Sequence, residues 1–187
     1  MSIGEYQELV AKAEVSGTGL RKLRDLGDPA VLEVLNYWYS RRGDRRMPRP
    51  QDIDPVDFAR HMPKLMMIQV DHDPFTLTYR LIGEEVAHVH GKNHRGCAIL
   101  DVNETRPNLG SLLHELFKAV ALLRRPVGVG GNMEFLGRGY MNFEAAYMPL
   151  SFDGERTDRI FTVTAYHPIS VEERFDVGVS DALVAVL

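Results

Sequence analysis

Cysteine is nearly missing: Cys97 is the only one in 187 residues. One thiol cannot close an intrachain disulfide, so no disulfide framework holds the fold, and a reducing compartment fits. Long apolar runs are missing as well. No stretch approaches the roughly 18 residues of a membrane span. The opening MSIGEYQELV has neither the basic start nor the apolar core of a secretory signal. The chain is therefore expected in the cytoplasm, with no membrane partner. Positive charge is not in excess: the net charge of −4 gives no reason to expect nucleic acid as a partner. There is no internal repeat and no low-complexity tract. G-x-S-x-G, H-E-x-x-H and a phosphate-cradling glycine loop are all absent. GVGG at 128–131 lies within a strand pattern, which disqualifies it as a dinucleotide fingerprint and points to a bulge or a close backbone approach.

What remains is ordinary globular material, 44% hydrophobic and 26% charged, enough to bury a core in one domain with extensions. Residues 3–15 carry a weak amphipathic helix that VSGTG at 15–19 breaks. Asp28-Pro29 opens a stronger one, because Asp accepts from first-turn amides and Pro has no N–H to lose there. Val31, Leu32, Leu35, Trp38 and Tyr39 share its apolar face, and Gly43 ends it. Asp54-Pro55 opens a second, short helix expected to stop before Pro63. LMMIQV (65–70) and LTYRLIG (77–83) read as strands joined by the turn DHDP. EEVAHV (84–89), closed by Gly91, and RGCAIL (95–100) are short helical pieces. The best helix starts around Thr105 and Pro107, with Leu109, Leu112, Leu113, Leu116, Phe117, Val120 and Leu123 at three- and four-residue steps. Arg124 and Arg125 suit its last turn. Three strands follow, at 127–137, 140–152 and 159–169, with turns at GRG (137–139) and DGERTD (153–158). Residues 1–27 thus read as a helical extension, 28–169 as the domain, and 170–187 as a tail with a helical pattern in DALVAVL. The fold class is α+β: a five-stranded antiparallel sheet with helices on one face, plus N-terminal flanking helices.

Three of the seven histidines fall within seven residues: His88, His90 and His94. His88 and His90 point to opposite helix faces, about 200° apart. His90 and His94 have the spacing of a helical zinc pair, but Gly91 and Asn93 break the helix between them. No metal site is read here. The basic run RRGDRRMPRP (41–50) reads as a solvated linker rather than a phosphate site. Arg80 and Glu144 read as outward-facing residues able to form a cross-strand ion pair. Cys97, beside Ala98 and Ile99, reads as a buried structural thiol.

The order of hairpin, helical middle and three-stranded meander resembles the PAS domain family. Local motifs sharpen the resemblance. W-Y-x-R-R-G-x-x-x-M-P-x-P-x-D-I-D-P runs from Trp38 to Pro55. It is followed by M-P-K-L (62–65), Y-R-L-I-G (79–83), R-R-P-V (124–127) and M-P-L-S-F-D-G (148–154). Together they are similar to the small alphaproteobacterial single-PAS proteins of the PAS_5 type, over about residues 28–169. The resemblance implies a sensory or signalling module without its own output domain. It implies partners of three kinds: a second copy in a homodimer, a histidine kinase or other signalling protein, and a small-molecule ligand. Helices 3–15 and 28–42 would then be the transmitters or the dimer surface.

A ligand pocket would lie between sheet and helices, walled by Tyr79, Leu81, Val86, Val89, His90, Leu113, Phe117, Phe143, Tyr147 and Val163. His90→Ala is expected to leave folding largely intact while weakening ligand binding. No cofactor is assigned. Haem through His114 and a flavin are the two candidates weighed, and neither is favoured; the cysteine pattern of light-sensing relatives is absent around Cys97. The chain is read as non-enzymatic. The competing reading is a small hydrolase or isomerase on a cup-shaped α+β frame, which a buried, hydrogen-bonded acid–base pair with shifted pKa values would favour.

Overall fold

The computed structural model describes residues 18–21 and 23–169. The helices read at 3–15 and in the tail lie outside them. Helix α1 spans Pro29–Arg42. Asp28 caps it as the sequence suggests, its Oδ1 accepting from Val31 N at 2.9 Å. Val31, Val34, Leu35 and Trp38 are buried along one face. Tyr39, expected among them, is exposed, and Val34 takes the place it was assigned.

The strands are β1 (Thr18–Arg21), β2 (Leu65–His72), β3 (Phe75–Ile82), β4 (Val127–Met133), β5 (Arg138–Leu150) and β6 (Arg159–Pro168). They form one sheet in the order β1-β4-β5-β6-β2-β3, with every pair antiparallel. The five expected strands are all present. A sixth, β1, comes from the stretch read as a helix breaker and pairs with the glycine run, Gly19 opposite Gly130. Between β3 and β4 lie α2 (Glu84–His90), a 3₁₀ turn at Ile99–Glu104 and α3 (Leu109–Leu123). Helix α3 starts two residues after Pro107, with Asn108 left-handed before it, and Arg124 closes it in a left-handed conformation. Thr105 belongs to the preceding turn.

Alternation on the central strands splits the core into two layers. Met66, Ile68, Tyr79, Ala145, Tyr147 and Ile160 face a front layer with α2 and α3. Leu65, Ala146, Met148, Leu150, Phe161, Val163 and Ala165 face a back layer with α1. Helix α1 therefore spends its apolar stripe on the sheet. The Trp38 indole is fully buried there and donates to the Pro149 carbonyl at 3.0 Å.

The basic run is no free linker. Met47 is buried in the back layer, Ser151 N donates to the Pro48 carbonyl at 2.9 Å, and Arg41 and Arg45 pair with Asp57 and Asp52. The 3₁₀ segment after Asp54 continues through Pro63 to Lys64, kinked at Phe58. It goes past the expected stop because a 3₁₀ turn tolerates proline better than an α-helix interior does. Gly83 sits against this segment. A Cβ there would lie 2.3 Å from the Pro63 carbonyl oxygen, so only glycine permits the approach.

Candidate functional site: a cavity between helix and sheet

The front layer contains a cavity of about 40 Å³. Helix α3 supplies Leu109, Leu112, Leu113 and Leu116, which recur on one face because the helical repeat returns every three to four residues. The sheet supplies Met66, Val129, Met133, Phe143, Tyr147, Thr164 and Tyr166. Val89 and His90 come from α2, and Leu136 from the β4–β5 connection. Leu112, Leu136, Phe143 and Tyr166 are half-buried and form its rim, while the deeper walls are buried. By alternation Gly131 falls on the front face opposite Phe143, where it contributes no side chain and leaves room.

Of the residues read from sequence, Val89, His90, Leu113, Phe143 and Tyr147 line this cavity. Tyr79, Val86 and Phe117 lie in the same layer but behind the lining. Leu81 and Val163 are on the other face of the sheet. For Leu81 the reason is a bulge: Met67 pairs with Leu81 and Ile68 with Tyr79, so Arg80 is the extra residue and the alternation resets. Val163 sits in a central strand buried on both sides, where hydropathy cannot tell the faces apart. The lining residues that sequence missed include Met66, Met133, Leu136, Thr164 and Tyr166. The alternation of β6 could have found Thr164 and Tyr166 once the faces were assigned.

The histidines part company. His88 is exposed, whereas His90 and His94 are buried. His90 Nδ1 and the Tyr79 hydroxyl are 3.2 Å apart. The His94 ring stacks on the Tyr79 ring at 6.1 Å, and its Nε2 is 3.2 Å from Thr105 Oγ1. Thr105 in turn donates to the His90 carbonyl at 3.0 Å. Burial, and then the nearby His94 and Arg106, push the His90 pKa down to about 3. Burial also lowers His94 and raises Tyr79 well above the usual phenol range. Burial raises Tyr147, while the neighbouring Thr164 hydroxyl pulls the other way without reaching full hydrogen-bond geometry. At neutral pH the cavity is lined by uncharged groups.

This revises the expectation for His90→Ala. The substitution would strand the buried Tyr79 hydroxyl, at a cost of about 1–3 kcal/mol, so folding is affected too.

Other candidates fall elsewhere. His114 packs edge-on against Phe75 at 6.0 Å and does not line the cavity. Arg80 and Glu144 cannot pair: among the described residues β3 neighbours β2 alone, and Glu144 on β5 lies opposite Gly130 and Ala165. Glu144 instead holds the start of α1, its Oε1 accepting from Gly27 N at 2.9 Å and Asp28 N at 2.7 Å. Cys97 is half-buried, not buried; its backbone carbonyl accepts from Tyr79 N at 3.1 Å, tying the loop to the edge of β3. Among the described residues no group of His, Cys, Asp and Glu is arranged to hold a metal ion, and no helix is long and apolar enough to cross a membrane.

A protein-family profile described as a PAS domain matches residues 27–165, well over half of the chain. No curated protein and no solved structure gives a significant match.

Proposed function

Since the chain belongs to the PAS domain family, we propose that it is a sensory module that binds a small molecule in the cavity and reports its occupancy to a partner protein. The cavity carries this reading. It is walled by adaptable Met66 and Met133 and by leucines, and its few polar side chains are His90, Tyr147, Thr164 and Tyr166. Ligand pockets combine apolar walls with few fixed polar groups in this way. The partner is a signalling protein such as a histidine kinase, and the module works in the cytoplasm as a homodimer. A ligand shifts the balance of two packings only by binding them unequally. The contact most exposed to such a shift is the one between β5 and the start of α1. Haem and flavin are not favoured: the cavity as packed has room for about three waters by volume.

The competing enzymatic reading meets its own criterion in form, because Tyr79 and His90 are a buried, hydrogen-bonded pair with shifted pKa values. The shifts run the wrong way. A useful acid or base has a pKa near the working pH, whereas burial drives these two apart and leaves both neutral. We therefore read the pair as an orienting contact and the module as non-enzymatic.

Native mass spectrometry of the gently purified protein tests the sensory reading. A stoichiometric small molecule is expected, released on denaturation and lost in Leu113→Trp, which fills the cavity. A ligand retained in that variant places binding elsewhere. A bare protein whose wall residues also stay unshifted in a fragment screen leaves protein interaction as its role.

A further inference from the structure

The polar side chains lining the cavity are His90, Tyr147, Thr164 and Tyr166, and the protonation of the imidazole can be deduced. The Tyr79 hydroxyl is fully buried, and among the described residues its one hydrogen-bond partner is His90 Nδ1. Two arrangements satisfy that contact. If Nδ1–H donated to the phenol oxygen, the Tyr79 O–H would be left as a buried donor with no acceptor, at a cost of about 1–3 kcal/mol. If Tyr79 O–H donates to Nδ1, both groups are satisfied. The neutral imidazole then carries its proton on Nε2. His90 is only 4% exposed, lines the cavity, and engages the protein among the described residues through Nδ1 alone. Nε2–H is thus a fixed, uncharged donor without an acceptor among the described residues.

Resting on the sensory reading above, we propose that the cavity selects small, uncharged molecules with an apolar body and one hydrogen-bond acceptor, such as a ketone, ester or lactone carbonyl, met by His90 Nε2–H. The apolar body meets Leu109, Leu113, Leu116 and Val129. A carboxylate would lose its hydration against walls that offer hydroxyls and one imidazole but no charge, a transfer that costs more than hydrogen bonds to neutral groups restore. Tyr79 is a positioning residue: it fixes the tautomer from behind the lining.

The test is an NMR titration with three probes of similar size: 2-butanone, dissolved butane and propanoate. It is run on the wild type and on the double variant Tyr79→Phe/His90→Leu, which removes both partners of the buried contact and so leaves no orphan. In the wild type, 2-butanone is expected to shift the Leu113 and Val89 methyl groups and the His90 Nε2 resonance, and propanoate to bind at least about tenfold more weakly. The double variant should weaken 2-butanone roughly fivefold to tenfold, the worth of one hydrogen bond, and leave butane within about twofold. Long-range nitrogen–proton spectra of the unliganded wild type should show the Nε2–H tautomer, a readout that needs no variant to fold. An Nδ1–H tautomer overturns the proposal. So does 2-butanone binding that the double variant does not change, or propanoate binding as tightly as 2-butanone; in both cases the cavity stands and its stated selectivity falls. If no probe, butane included, shifts the wall, the ligand-binding reading falls with it.

Discussion

The two faces of this sheet are built from the same strands and differ in kind. On the back, Trp38, Met148, Leu150, Phe161 and Val163 close a layer under α1, and the Trp38 indole N–H is matched by a carbonyl. On the front, the same strands meet a cavity, two buried histidines and the Thr162 and Thr164 hydroxyls, which lack full partners. Neighbouring residues of one strand serve opposite ends: Phe161 and Val163 pack, while Thr162 and Thr164 bury unpartnered hydroxyls, that of Thr164 at the cavity wall. The contrast teaches that packing quality here is allotted by face. One side is packed through, and the other keeps a cavity and unpartnered hydroxyls.

The largest expected effect tests the packed face. Trp38→Ala should cost about 3–5 kcal/mol in urea denaturation. A loss under about 2 kcal/mol would break the comparison, because it would mean the back layer collapses as readily as a loose one. Acid tests the front. The unfolded chain takes up a proton on His90 near pH 6.5, and the folded protein only near pH 3. Below about pH 6.5 the unfolded state binds more protons, so stability falls with acid. The loss between about pH 7 and pH 5 is about 2 kcal/mol from His90 alone, and His94, lowered likewise, adds in the same direction. The double variant Tyr79→Phe/His90→Leu should remove the His90 share; an unchanged pH profile would clear His90 of the effect.

Glu144→Gln reaches across the sheet. Its carboxylate accepts from two amides at the start of α1, so the neutral amide should cost about 1 kcal/mol and speed hydrogen exchange in the first turn of α1. Unaltered exchange there would show that Asp28 caps the helix alone. The smallest effect has the opposite sign. Thr162→Val removes a fully buried hydroxyl with no partner and should be neutral or stabilise by up to about 1 kcal/mol in a thermal melt. A clear destabilisation would mean that hydroxyl is satisfied, and the faces would differ less than stated.

Much of this was legible beforehand. The Asp-Pro helix start, the leucine repeat of α3 and the strand–turn alternation each express a local rule, and local rules survive folding. The motif from Trp38 to Pro55 was legible as a family mark but not as a role: Trp38, Met47 and Ile53 turn out to line the back layer, on the other side of the sheet from the cavity. The site was half legible. Val89, His90, Leu113, Phe143 and Tyr147 followed from period and position. Leu81 failed because a bulge at Arg80 depends on a partner strand distant in sequence. Val163 failed because in FTVT (161–164) the threonine face and the apolar face are both buried, so hydropathy does not mark which one meets the cavity, and the Arg80–Glu144 pair failed because strand order is not written in either strand.

One contact carries a mechanical consequence. Phe143 stands at the cavity rim and Glu144, the next residue, grips the amides of Gly27 and Asp28 behind the sheet. A β-strand is a rigid ribbon one peptide thick, so a twist that swings one side chain forward swings its neighbour back. Whatever wedges under Phe143 works as a short crank on the anchor of α1, and no relay of intervening side chains is required.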